Sequence, residues 1–361
     1  MISIIGAGPV GCYAAALLAD DFEVKVFEEH SQVGLPVQCT GIVTPDIFKF
    51  VPKNNDFIIN RISDVRIFSP DNKHIKLKFK NPDLILDRAK FDNYFYDLAR
   101  KKGVEFYFQH RFVSANKRYA LVKDLKSGKT RKFKHDFLVG ADGARSAVAK
   151  NYNFNNKKKF FIGIQAVVKM KNINTVDYFP FKHGFGWAVP VDKNTLRVGV
   201  ASKKNPRAIF ENLLKKYKGK IVSKQGGLIP VFSPFAQIRK DNVFLIGDAA
   251  GFVKATTGGG LVPGLKSARV LAHTIINNFM YESSIGVKIY PSLWMHLEMS
   301  KLMDSFSRQD WNNLIEELNN EDSKKSLQKI NRDRLFKLLL SLGFRNPRLI
   351  GFGLKHFDAL F

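Results

Sequence analysis

Cysteine is nearly absent from this chain. Cys12 and Cys39 are the only two in 361 residues. They are far apart in sequence, which argues against a disulfide framework and fits a reducing cytoplasm. Long apolar runs are missing as well. No stretch approaches the ~20 residues of a membrane span, and the best candidates, near Leu335–Leu342 and Leu271–Met280, are short or interrupted. The first strand-like segment starts at residue 2, so no signal peptide is expected. Acidic residues are few: 32 Asp and Glu stand against 58 Lys and Arg, a net charge of +26. The excess predicts an acidic partner, whether anionic membrane, acidic redox protein or nucleic acid. It is equally the signature of an AT-rich genome, since Lys, Asn, Ile and Phe are all abundant. The basic residues are dispersed, with Lys157-Lys158-Lys159 the longest lysine run. No metal site is expected.

What is present is organised around residues 1–28. Ile2-Ser3-Ile4-Ile5 is a short apolar run with room for one buried strand. Gly6-Ala7-Gly8-Pro9-Val10-Gly11 follows at once, then a small-residue helix to Leu18 and a second strand ending on Glu28. This is the pattern of a dinucleotide-binding βαβ unit. Gly6 allows the tight turn, Gly8 lets the backbone approach a pyrophosphate, and Gly11 lets helix and strand pack closely. Pro9 opens the helix, whose N-terminus offers free N–H groups to phosphates. Glu28 stands about 20 residues on, where a carboxylate accepts from a ribose 2′-OH. This motif alone does not separate FAD from NAD.

Two later segments repeat the strand-then-glycine design. Phe137-Leu138-Val139 runs into Gly140-Ala141-Asp142-Gly143, and Val243-Phe244-Leu245-Ile246 into Gly247-Asp248. Both place a carboxylate at a sheet's C-terminal edge, where open α/β sheets bind ligands. Thr257-Gly258-Gly259-Gly260 then leads into a helix predicted from Leu261 to Asn277. Asp248 can accept from a ribityl chain, and the glycine entrance can lie against an isoalloxazine ring. Its N–H groups would favour negative charge on reduced flavin by roughly 0.3–2 kcal/mol, a reason to expect flavin rather than nicotinamide.

Between these segments the chain changes character. Ile75, Leu77 and Phe79 alternate with lysines, as in a strand with one buried face. Asp87 can cap a helix carrying Phe91, Tyr94, Phe95 and Leu98. Residues 160–235 are β-rich, and Tyr178 to Val191 is dense in aromatics, including Phe185 and Trp187. That density suits a sheet core or an apolar substrate wall, and the two are compatible. Cys39 lies in the irregular loop Leu35–Gly41 and reads as a small buried hydrophobe or an active-site thiol. After residue 283 the leucines recur at helical spacing with Arg and Lys between. Those helices close the domain or lie on a membrane surface.

In order, the three fingerprints resemble the p-hydroxybenzoate hydroxylase-like class of FAD proteins over roughly residues 1–280. The resemblance implies that Arg88 contacts the FAD phosphates. Where that class usually carries Arg three residues after its Ser, this chain has Ala149, followed by Lys150. Within the class, Cys39 in its loop and the Gly258-Gly259-Gly260 entrance resemble the geranylgeranyl reductase family, which saturates isoprenoid chains, including those of archaeal membrane lipids. In that family's substrate motif Trp187, Pro190 and Gly199 match. Lys182, Phe185, Val189 and Ala201 replace Pro, Tyr, Phe and Gly.

The expected architecture is α/β: a Rossmann-type FAD-binding domain (1–56, 81–155, 236–282) interleaved with a β-sheet substrate domain (57–80, 156–235), plus a helical C-terminal region (283–361). The resemblance implies an FAD-dependent reductase of prenyl double bonds, with Cys39 or a bound water as proton donor. The expected cofactor contacts are Gly6, Gly8, Pro9, Gly11, Glu28, Arg88, Asp142, Gly143, Asp248 and Gly258–Gly260. The expected substrate contacts are Phe185, Trp187, Pro190 and Gly199. No second GxGxxG unit is present, so NAD(P)H would bind transiently, or a small acidic ferredoxin would dock instead. Cytoplasmic placement with peripheral contact at the inner membrane face is expected. The rival readings are an aromatic-ring monooxygenase on the same fold and a basic RNA-associated flavoprotein.

Overall fold

The computed structural model describes residues 1–53, 55–154 and 158–360, so Lys157 of the lysine run lies outside the described residues. Ile2–Ile5 forms the strand expected of it, buried at all four positions. Parallel neighbours stand on either side, Val24–Glu28 and Phe137–Gly140. Glu105–Phe108 and Val243–Leu245 extend the parallel set, and the short antiparallel strand Arg239–Lys240 closes one edge of the six-stranded sheet. A parallel strand must be covered on both faces, which explains the unbroken apolar runs. Helices Pro9–Leu18, Arg88–Lys101 and Leu261–Asn277 pack together beside this sheet, joined by Phe91, Phe95, Leu265 and Leu271 in one continuous core. A small three-stranded sheet, His110–Ala115, Tyr119–Asp124 and Thr130–Lys134, adds Phe112, Ala120 and Val122 to it.

The second large sheet has eight strands and is almost wholly antiparallel. Its two faces read off the period of two. Phe161, Trp187, Val189 and Ala201 point one way, toward Ile315 of the C-terminal helices. Ala166, Ala188, Leu196, Val198 and Val200 point the other way, under Phe210 and Leu213 of helix Pro206–Leu214. The strand His74–Leu86 runs past residue 80, so residues 81–86, expected in the FAD-binding lobe, belong to this sheet instead. Pro82 masked the continuation. It sits where the ladder to strand Ile58–Phe68 slips register between Ile62 and Asp64, the kind of irregularity that tolerates proline. Among the described residues, six α-helices from Tyr281 to Lys355 make the C-terminal region, as the leucine spacing predicted.

Candidate active site

The first turn is built by close approach. Gly6 has φ +103°, and a Cβ there would meet the Ala141 carbonyl oxygen at 2.5 Å; a Cβ on Gly11 would meet the Gly6 oxygen at 2.1 Å. Gly8 has open space where its side chain would be, and the helix it precedes has no side-chain cap. The bare N-terminus is therefore free for a phosphate. Glu28 closes the turn: its carboxylate accepts from Ala7 N–H at 2.8 Å and from His30 N–H at 2.9 Å.

Asp142 and Asp248 stand at the ends of adjacent parallel strands. Asp142 accepts from Val148 N–H at 3.1 Å through one oxygen. Its other oxygen, Oδ1, is buried without a partner. Burial pushes both carboxyls up from the usual carboxylate range, against the pull of Ser146 on Asp142 and of Arg88 and Lys158 on Asp248. Asp248 lies against the glycine entrance: a Cβ on Gly260 would meet its Oδ1 at 2.7 Å. The helix that follows, Leu261–Asn277, also begins without a side-chain cap. An open phosphate-sized turn, an orphaned buried carboxylate oxygen and a second bare helix N-terminus fit a dinucleotide with a flavin end. Gly6, Gly8, Gly11 and Glu28 would hold its adenosine and pyrophosphate portion, and Asp248 with Gly258–Gly260 its flavin end.

Arg88 is nearly buried. Its guanidinium forms a fork with Asp92 at 3.1 and 3.0 Å. Asp92 thus orients the side chain through a one-turn (i, i+4) pair. Burial works against the Arg88 charge, but the Asp92 carboxylate outweighs it and raises its affinity for the proton. Cys39 Sγ also accepts from Gly41 N–H at 3.3 Å. Its loop is pinned from the substrate sheet: Arg197 donates to the Thr40 oxygen at 2.6 Å and Gln225 to the Cys39 oxygen at 3.3 Å. Gln165 ties this loop to the aromatic wall, accepting from Thr40 Oγ1 at 2.7 Å and from Trp187 Nε1 at 2.9 Å.

That wall meets the glycine entrance directly. A Cβ on Gly258 would touch the Phe185 ring at 3.3 Å, and Phe185 lies 5.8 Å from Trp187 and 6.0 Å from Phe161 between centroids. Gly199 faces Trp187 across the ladder, where a Cβ would meet the indole at 2.5 Å. Pro190 does not join them. It has the parity of Ala188, on the face covered by helix Pro206–Leu214. Cys12 is fully buried and donates to the Ala7 oxygen, a packing role.

The sequence reading missed a cluster behind the glycine entrance. Lys254 pairs with Asp333, whose other oxygen accepts from Thr44 Oγ1 at 2.6 Å. Arg332 pairs with buried Asp83, near Tyr178, whose phenol burial pushes up to about 12. Despite burial, Lys254 and Arg332 hold the Asp333 carboxyl below its ordinary range. His296 Nδ1 bonds Thr256 Oγ1 at 2.6 Å, and burial with the nearby cations lowers this imidazole to about 3. Lys158 was also missed: its Nζ donates to the Ala249 oxygen at 2.6 Å, close to Asp142 and Asp248. No signal in the sequence pairs residues this far apart.

The comparisons with known proteins agree with this geometry. Residues 67–209 match the FAD binding domain family, and residues 4–49 match the NAD(P)-binding Rossmann-like domain. A digeranylgeranylglycerophospholipid reductase of Methanosphaera stadtmanae is 28% identical over 317 residues, covering 79% of this chain and 80% of that protein. This chain is an FAD-dependent oxidoreductase, similar to reductases of the geranylgeranyl type. A second relative with the same reductase name, from Methanocaldococcus jannaschii, is 27% identical over 371 residues, 91% of this chain and 94% of that one. The fold of this chain is that of a geranylgeranyl bacteriochlorophyll reductase-like protein of Thermoplasma acidophilum. The TM-score is 0.86 at 19% identity, over 100% of this chain and 98% of that one.

Proposed function

We propose that this reductase saturates C=C bonds in the geranylgeranyl chains of archaeal-type membrane glycerophospholipids. The observation that carries the reading is the contact of the Phe161–Phe185–Trp187 wall with Gly258, on the side of the loop where Cys39 is pinned. FAD, when bound and reduced, supplies hydride to such a bond. An isolated alkene has no carbonyl to polarise, so catalysis rests on placement and water exclusion. The aromatic wall excludes water and aligns the chain, and Gln165 fixes Trp187 relative to the Thr40 side of the cysteine loop. Cys39 holds the proton that completes saturation, its sulfur positioned by the Gly41 N–H. The proposed cofactor contacts are Gly6, Gly8, Pro9, Gly11, Glu28, Arg88, Asp142, Gly143, Asp248 and Gly258–Gly260, and Phe185, Trp187 and Gly199 line the substrate side.

The relatives' names support the lipid substrate, and none of them favours the aromatic monooxygenase or the RNA-associated reading. Electrons come from NAD(P)H or from an acidic ferredoxin docking on the basic surface. A rate that falls steeply with salt selects the ferredoxin. Anaerobic incubation of the dithionite-reduced holoenzyme with unsaturated archaeal lipid tests the substrate. Mass spectrometry should show two-dalton steps in the lipid; unchanged lipid mass with a fully loaded enzyme would overturn the reading.

A further inference from the structure

The helix Leu335–Arg345 is amphipathic in an unusual sense: both of its faces carry large apolar side chains. Leu338 and Leu342 are buried against the rest of the C-terminal region. On the outer face Phe336, Leu340 and Phe344 recur every four residues, 62%, 46% and 86% exposed. Residues four apart lie one above the other on a helix, so the three side chains form one stripe. The next helix, Arg348–Lys355, continues the exposed apolar surface with Ile350 and Leu354. An exposed patch of this kind marks a surface that meets an apolar partner.

Charge identifies the partner. From Arg334 to Phe357 the sequence holds no Asp or Glu, and five Arg and Lys residues fall within the same span. Arg345, Arg348 and Lys355 have carboxylate neighbours on adjacent helices. Arg334 and Lys337, which flank Phe336, have no ion pair among the described residues. An apolar stripe edged by cations, on helices of 11 and 8 residues, is suited to lie in the headgroup region of an anionic bilayer. No described helix is long and apolar enough to cross one. We propose that Phe336, Leu340 and Phe344, with Arg334 and Lys337, form the face by which this protein docks on anionic lipid membranes.

The placement gives the docking face a route to the site. Helix Leu335–Arg345 begins two residues after Asp333, the partner of Lys254 behind the glycine entrance. The inference deepens the lipid reading by naming where a bilayer-held substrate is met, and in that respect rests on it.

The test is flotation of the FAD-loaded full-length protein with vesicles of saturated ester lipids, which hold no reducible chain. Phosphatidylcholine vesicles are compared with vesicles containing phosphatidylglycerol. The wild-type protein should float with the anionic vesicles and be released between about 0.1 and 1 M salt, as the screening length shrinks from about 10 to 3 Å. The F336S/L340S/F344S variant should lose at least about tenfold in partitioning while keeping its flavin absorbance; a tenfold loss corresponds to about 1.4 kcal/mol. The R334E/K337E variant, which leaves the apolar groups in place, should lose binding to anionic vesicles alone. Undiminished flotation of both variants would overturn the proposal, as would a wild-type protein that ignores both vesicles. A dimer that the serine variant splits, with no vesicle binding, would assign the face to a second copy and overturn it as well. Vesicle binding without prenyl reduction would leave the surface standing and end only the substrate reading.

Discussion

The Cys39 sulfur accepts a hydrogen bond from the Gly41 N–H. If this thiol delivers the proton, Cys39→Ala should lower the anaerobic turnover rate by about 10²–10⁴-fold, the usual weight of a positioned acid. The flavin spectrum should be unchanged. Full turnover in the variant would transfer the role to water. His296 offers a second test. Its imidazole is lowered to about 3 by burial and by the Lys254 and Arg332 charges. Unfolded histidine titrates near 6.5, so between about 6.5 and 3 the unfolded chain binds the extra proton and the fold loses stability as pH falls. At pH 5 the loss from this residue is about 2 kcal/mol, from about 1.5 pH units at 1.36 kcal/mol each. Thermal melts at pH 7 and pH 5 should therefore converge in His296→Asn relative to the wild type. An unaltered pH slope would show that His296 is not the group responsible.

At the level of elements, the glycine entrance is the proposed seat of the flavin end of the cofactor. A methyl group at position 260 would fall 2.7 Å from Asp248 Oδ1, so the carboxylate would have to shift to admit it. Gly260→Ala should weaken FAD binding at least about tenfold, about 1.4 kcal/mol, measured by fluorescence quenching of free FAD; equal affinity would remove Gly260 from the cradle. This entrance, the first turn and helix Leu261–Asn277 were legible because each is local: glycine, strand and cap signals lie within a few residues of one another. The same locality explains Asp87, which caps its helix through Lys90 N–H as the sequence suggested. Continuation of strand His74–Leu86 through Pro82 was not legible, because proline normally ends a central strand and only the register slip accommodates it. The expected substrate contact at Pro190 was read from a motif, which names positions and not faces, while strand parity separates Pro190 from Trp187.

Across the whole molecule, three distant segments meet in one buried ionic cluster. Thr44 follows the cysteine loop, Asp83 comes from the substrate sheet, and Arg332 and Asp333 come from the C-terminal region. All converge behind Lys254. Nothing in sequence spacing announces such a meeting, since burial of a charge depends on chain paths that only the fold defines. Removing one partner leaves the other charge buried and unpaired. Asp333→Asn should therefore destabilise the protein by about 3–5 kcal/mol in denaturant unfolding. The Lys254→Met/Asp333→Leu double variant should cost much less. If the double variant is as unstable as the single, the cluster is not a coupled ion pair.

The central claim is that this flavin site hands electrons to an apolar alkene. Anaerobic stopped-flow mixing of the dithionite-reduced, FAD-loaded enzyme with geranylgeranyl lipid in detergent measures it most directly. We expect the oxidised-flavin absorbance to return at a rate that rises with lipid concentration, and not with a saturated lipid of the same headgroup. Reduced flavin that stays bleached with unsaturated lipid yet reoxidises at once in air would contradict the claim.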